Sequence, residues 1–328
     1  MLAFIIRRVL YMIPTVFAIS VVVFFIIQLP PGDYLTTLVA ALSSQGEQVN
    51  QEAIRALEDR YGLDQPWYVQ YFYWMRNILL HFDFGDSFEY NRPVTDLVGQ
   101  RLAFTIAISI GALLLTWSIA FPVGVYSAVR KYSIGDYIMT FIAFLGLAIP
   151  EFMIALILLY VSFRYFDQSV GGLFSSQYVD APWSLARFGD LMAHLWIPIV
   201  IVGVASTAAL IRIMRANLMD ELNKPYVVTA RAKGLSERRL LMKYPVRLAM
   251  NPFVSTSGFI LPGLVSGETI IGVVLSLPTM GPLLLRALQS QDMYLAGGII
   301  LMTSVLTVIG TLLADILLAW LDPRIRYS

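Results

Sequence analysis

Apolar residues run in long blocks along this chain, separated by short polar turns and two longer polar stretches. A hydrocarbon layer roughly 30 Å thick takes about 20 apolar helical residues to cross. Six segments meet that length: 9–29, 102–129, 137–165, 191–213, 252–275 and 295–321. The pattern predicts an all-α membrane protein with six transmembrane helices. Prolines fall within them at Pro14, Pro122, Pro150, Pro198 and Pro262. Proline ends a helix in water, but packed neighbours re-satisfy the freed carbonyls in a membrane, so kinks rather than breaks are expected.

The two long polar stretches divide the chain into a first helix (1–29), an insert (30–100) and a five-helix core (101–328) that carries a second loop at 214–251. Lys and Arg stay on the cytoplasmic side of short loops. With the amino terminus inside, 15 of the 23 basic residues fall on that side, 9 of them between Arg212 and Arg247. The opposite side holds 8, together with ten acidic residues between Asp33 and Asp96. Both termini are therefore expected in the cytoplasm, with the insert outside. Within the insert, 51–60 has helical spacing through Ala53, Ile54 and Leu57. The stretch 65–80 is aromatic, with Trp67, Tyr68, Tyr71, Phe72, Tyr73 and Trp74 suited to the headgroup region. An interfacial packing cluster and a docking or gating surface both fit it.

The cytoplasmic loop has the strongest local signals. Pro225 suits a first helical position, and Gly234 is placed to end that helix as a left-handed cap. Ser236 can cap the next segment, with Glu237 in its first turn. A short helix rich in positive charge and small residues is expected at the membrane surface.

Composition sharpens this picture. Hydrophobic residues make up 58% and charged ones 14%, with a mean hydropathy of +0.70, against about 45–50% and about 25% in soluble domains. The net charge of +1 points to no nucleic acid. The absence of cysteine excludes disulfides, thiolate metal sites and cysteine nucleophiles. Arg7 and Arg8 before 9–29 resemble the start of a signal peptide, but the apolar stretch is longer than such a core and no small-residue cleavage site follows; a retained span is expected. His81 and His194 are too isolated for a metal site, and no Gly-x-x-x-x-Gly-Lys-Ser/Thr run is present to cradle phosphate. Acidic residues in or near spans are functional candidates because charge is costly there. These are Glu151, as a path-lining group or a partner for carbonyls freed by Pro150, Glu268, as a structural or gate residue, and Asp315, as a helix-packing residue.

The run Tyr226-Val-Val-Thr-Ala-Arg-Ala-Lys-Gly-Leu-Ser236 is similar to the coupling-loop signature of binding-protein-dependent ABC importer permeases, in the form typical of the dipeptide and oligopeptide group. Phe84-Gly-Asp-Ser87, Arg92-Pro-Val94, Phe121-Pro-Val-Gly124, Gly267-Glu268, Gln291-Asp-Met-Tyr294 and Asp322-Pro-Arg-Ile-Arg-Tyr327 agree with that group in order and spacing. Departures occur at Tyr244 to Pro252, where Arg247, Ala249 and Pro252 alone keep the family pattern, and at Tyr34. The resemblance implies that Tyr226, Thr229, Ala230, Arg231, Ala232, Lys233, Gly234 and Leu235 seat on an ATP-binding subunit. Ala230 and Ala232 then permit close approach, and Arg231 and Lys233 pair with acidic groups there. It also implies two such subunits carrying ATP and Mg, a second and different permease chain, an external solute-binding protein, and a bacterial or archaeal inner membrane. The chain itself is then no enzyme and binds no cofactor. Its solute is a di- or oligopeptide, an oligosaccharide or another small polar solute. A secondary transporter, the competing class, requires inverted repeats and unwound spans, and neither is visible.

Overall fold

The computed structural model describes residues 2–28, 65–87, 89–166 and 171–321. The helical spacing at 51–60 and the tail motif at 322–327 lie outside the described residues. The helices are α1 (Leu2–Gln28), α2 (Trp67–His81), α3 (Val94–Val129), α4 (Ile134–Ala148), α5 (Glu151–Phe166), α6 (Leu185–Leu222), α7 (Pro225–Ala232), α8 (Glu237–Lys243), α9 (Pro245–Val274), α10 (Met280–Gln289) and α11 (Met293–Leu321). Two short antiparallel strands, β1 (Asp86–Ser87) and β2 (Arg92–Pro93), pair Asp86 with Pro93 and Ser87 with Arg92.

Among the described residues, four helices are long and apolar enough to cross a membrane: Ala3–Gln28, Val94–Val129, Leu185–Val204 and Met293–Trp320. Helices α4 and α5 supply a fifth crossing if taken together, and they meet at 95°. The kink expected at Pro150 is thus a break. A pyrrolidine ring clashes with a helical residue before it and favours extended backbone there. Ile149 adopts that form (φ −90°, ψ 122°), α4 stops ahead of it, and α5 starts at Glu151. Pro14, Pro122, Pro198 and Pro262 stand inside continuous helices.

The chain divides into two compact units. The first comprises Met1–Leu10, Ala103–Pro282 and Leu306–Ser328. One of its apolar cores gathers Ile108, Ala112, Ala155, Leu191, Ile201 and Ile271. Another gathers Ala120, Leu210, Met214, Leu218, Val246 and Phe253. Lipid tails are as apolar as leucine, so helices associate here through close van der Waals contact. Gly124, the glycine of the Phe121-Pro-Val-Gly124 motif, shows how close: a Cβ there would lie 2.6 Å from that of Met214. Polar ties add direction. Asp136 at the start of α4 is 2% exposed and accepts two hydrogen bonds from Arg215 on α6, Nε to Oδ1 at 3.0 Å and Nη2 to Oδ2 at 2.9 Å. Arg8 and Asp315 pair at 3.3 Å, so the aspartate expected to pack helices carries an ion pair.

The second unit comprises Tyr11–Leu102 and Leu283–Val305. One side of α2 stacks on α1: Tyr71 bonds Ser20 at 2.8 Å, Trp74 packs on Phe24, and Trp67 on Phe25. Asp292, buried ahead of α11, accepts from the Ser87 hydroxyl at 2.6 Å, from the Glu89 N–H and from the Leu295 N–H. Two motifs 205 residues apart, Phe84–Ser87 and Gln291–Tyr294, are thereby joined.

Candidate coupling site

Helix α7 is eight residues long, too short to hold itself in water. Its ends and one face supply what length does not. Pro225 occupies the first turn, where its missing N–H costs nothing. At the other end Gly234 takes φ +79°. Its N–H bonds the Arg231 carbonyl at 3.0 Å, and the Leu235 N–H bonds the Ala230 carbonyl at 3.4 Å. These two bonds make a Schellman cap, which reverses the chain into α8 as the Gly234 signal predicts. Ser236 stands at the amino end of α8 with extended backbone, yet its side chain makes no capping bond, contrary to expectation.

One face of α7 is sealed against α8. Val227, Ala230 and Leu240 are buried together, with Tyr226, Leu235 and Tyr244 packed on them. Ala230 therefore approaches its own neighbour rather than presenting itself outward. Arg231, expected to be open to a partner, donates from Nε to Glu237 at 2.6 Å across the turn. That bond holds the Glu237 carboxyl below its ordinary range and raises Arg231. Tyr226 donates its hydroxyl to Glu221 at the end of α6. Burial first, and that bond second, push the Tyr226 phenol well above its usual value, so it remains a donor. The Thr229 hydroxyl returns to the Pro225 carbonyl at 2.9 Å. The outward face is left with Val228, Thr229, Ala232, Lys233 and Gly234. Val228, 58% exposed, is the one large apolar group on it, and sequence reading passed over it. Its signal was the i+1 position beside the buried Val227.

The gate candidates stand apart from this elbow. Glu151 opens α5 at the break and has no hydrogen-bond partner among the described residues. Glu268 belongs to continuous helix α9. His194 bonds through Nδ1 with the Asp190 carbonyl at 2.8 Å, a packed histidine, and His81 closes α2.

Residues 120–327 match the family described as "Binding-protein-dependent transport system inner membrane component", and residues 1–109 match its amino-terminal component. The chain belongs to this family. It is the membrane-spanning permease subunit of an ABC importer. This permease is 36% identical over the full length of both chains to the oligopeptide transport system permease protein AppB of Bacillus subtilis (strain 168). It is 30% identical to the peptidoglycan transport system permease protein YejB of Agrobacterium fabrum, covering 99% of this permease and 98% of that protein. The elbow of α7 and α8 lies within the matched region.

Proposed function

We propose that this permease imports di- or oligopeptides by alternating access, with α7 seated on an ATP-hydrolysing subunit. Two such subunits, holding ATP and Mg, close on one another and drive the motion; a related second permease chain completes the pathway, and an external binding protein delivers the solute. Six spans cross the inner membrane, with α9 as the fifth and the joined α4 and α5 as the third. Both termini and the loop 214–251 are cytoplasmic, and 30–100 is the external insert. Tyr226, Thr229, Arg231, Ala232, Lys233 and Leu235 belong to the coupling elbow, with Ala230 as its internal packing point. Glu151 and Glu268 belong to the path or its gate.

The rigidity of the elbow carries this reading. Transmitting the closure of a soluble partner as a rigid-body motion takes a stiff lever, and α7 is stiffened by its cap, its apolar seam and its ion pair. Peptide as the solute rests on the names of relatives such as AppB. Substituting Gly234 by valine tests the lever. A β-branched residue at φ +79° is strained whatever the space around it. Binding-protein-stimulated ATP hydrolysis and uptake into vesicles should both fall at least tenfold; survival of both refutes the assignment. Mass spectrometry of the ligand carried by the cognate binding protein tests the solute, and an oligosaccharide there would replace the peptide.

A further inference from the structure

An open groove of about 230 Å³ runs between α3 and α11 within the first unit, with the buried Val254 of α9 among its lining residues. Its walls are almost wholly carbon. On α11 they include Thr307, Gly310 and Ala314, and on α3 Ser109 and Trp117. Gly310 and Ala314, four residues apart, give a small-xxx-small face of the kind that lets a second helix backbone come close. The rim residue Leu313 is 54% exposed.

Ser109 distinguishes what fills this groove. It is 3% exposed, and its hydroxyl has no partner. Several hydroxyls in these helices return to their own backbone, Thr207 to Gly203, Thr303 to Ile299 and Thr311 to Val308, whereas those of Ser109 and Ser127 on α3 do not. Ser109 lies seven residues inside the apolar stretch that opens at Leu102, about 10 Å deep. An unpaired hydroxyl at that depth is costly, and an acyl chain offers it no acceptor, whereas a closely approaching helix offers backbone carbonyls.

We infer that this groove receives a transmembrane helix of the second permease chain, with Ser109 donating to a carbonyl of that helix. The inference rests on the proposed pairing of two permeases and locates one contact of the pair. A photoreactive p-benzoylphenylalanine at Leu313, in the assembled importer in native membranes, should crosslink to a related permease chain identified by its peptides. Adducts to lipid alone, to an ATPase or to another copy of this chain overturn the inference. Gly310→Leu, which fills the groove, should lower recovery of the second permease at least tenfold while this chain still elutes as a single peak. Ser109→Ala should lower it roughly threefold. Unchanged recovery with Gly310→Leu also overturns it. Should the unaltered chain bring down no second permease, the pairing itself fails, an outcome distinct from loss in the variants.

Discussion

At the scale of single residues, two positions separate backbone strain from packing. A Cβ on Gly234 meets nothing within 4 Å, so any cost of substitution there comes from φ alone. Asparagine tolerates the left-handed region far better than β-branched residues. Gly234→Asn should therefore retain most uptake where Gly234→Val loses it, and equal losses in both would show that bulk rather than backbone is the issue. Asp136 is the converse case, held entirely by its partners. Asp136→Ala strands the Arg215 guanidinium and should cost about 2–3 kcal/mol, read as a lowered Tm of the purified chain in detergent. Arg215→Lys, with Asp136 intact, should lose only part of that amount, since a lysine keeps the charge but cannot make the two-pronged contact seen here. Gly234 was legible in the sequence because a glycine after a short helix is a local signal. The Asp136 and Arg215 pair was not, because the two residues are 79 apart and only the packing of α4 on α6 brings them together.

Whole elements repeat this division between local and distant causes. Apolar length placed most of the spans because hydrocarbon demands it. The ends of α3 at Val94 and of α6 at Leu222 were missed because polar residues there lie beyond the apolar stretch while the helix continues. Pro150 was visible, but kink and break share one residue type, and the outcome depends on where Ile149 is held. Arg231 and Glu237 are six apart, a spacing that no helix places face to face; the Schellman turn creates the contact. This pair is open to solvent and screened by salt, so its role is to fix the angle between α7 and α8. Arg231→Glu and Glu237→Arg should each impair uptake, and the double exchange should restore most of it. Failure of the double exchange would assign the Arg231 charge to a partner surface. Val228→Asp should act otherwise, lowering ATPase stimulation about tenfold with Tm unchanged, because Val228 is exposed and stands outside the apolar seam of α7 and α8.

For the molecule as a whole, the proposal requires that the elbow and the carboxyl end of α2 face opposite sides of the membrane. The charge distribution argues for it: with the six proposed spans alternating, 15 of 23 basic residues fall on the side that carries the elbow. Translocating those charges is what the positive-inside bias opposes. The chain contains no cysteine, so a single introduced thiol reports without background. His81 and Lys233 are both exposed side chains at helix ends, so replacement by cysteine disturbs no packed group. In spheroplasts a membrane-impermeant maleimide should label His81→Cys and leave Lys233→Cys untouched. Inverted vesicles stripped of the ATP-hydrolysing subunits should reverse the pattern. Labelling of Lys233→Cys from outside would place the elbow where no ATP-hydrolysing subunit reaches it, and the coupling role of α7 would fall with the orientation. Protection of Lys233→Cys in inverted vesicles, relieved when the ATP-hydrolysing subunits are stripped by urea, would tie that orientation to the docking surface itself.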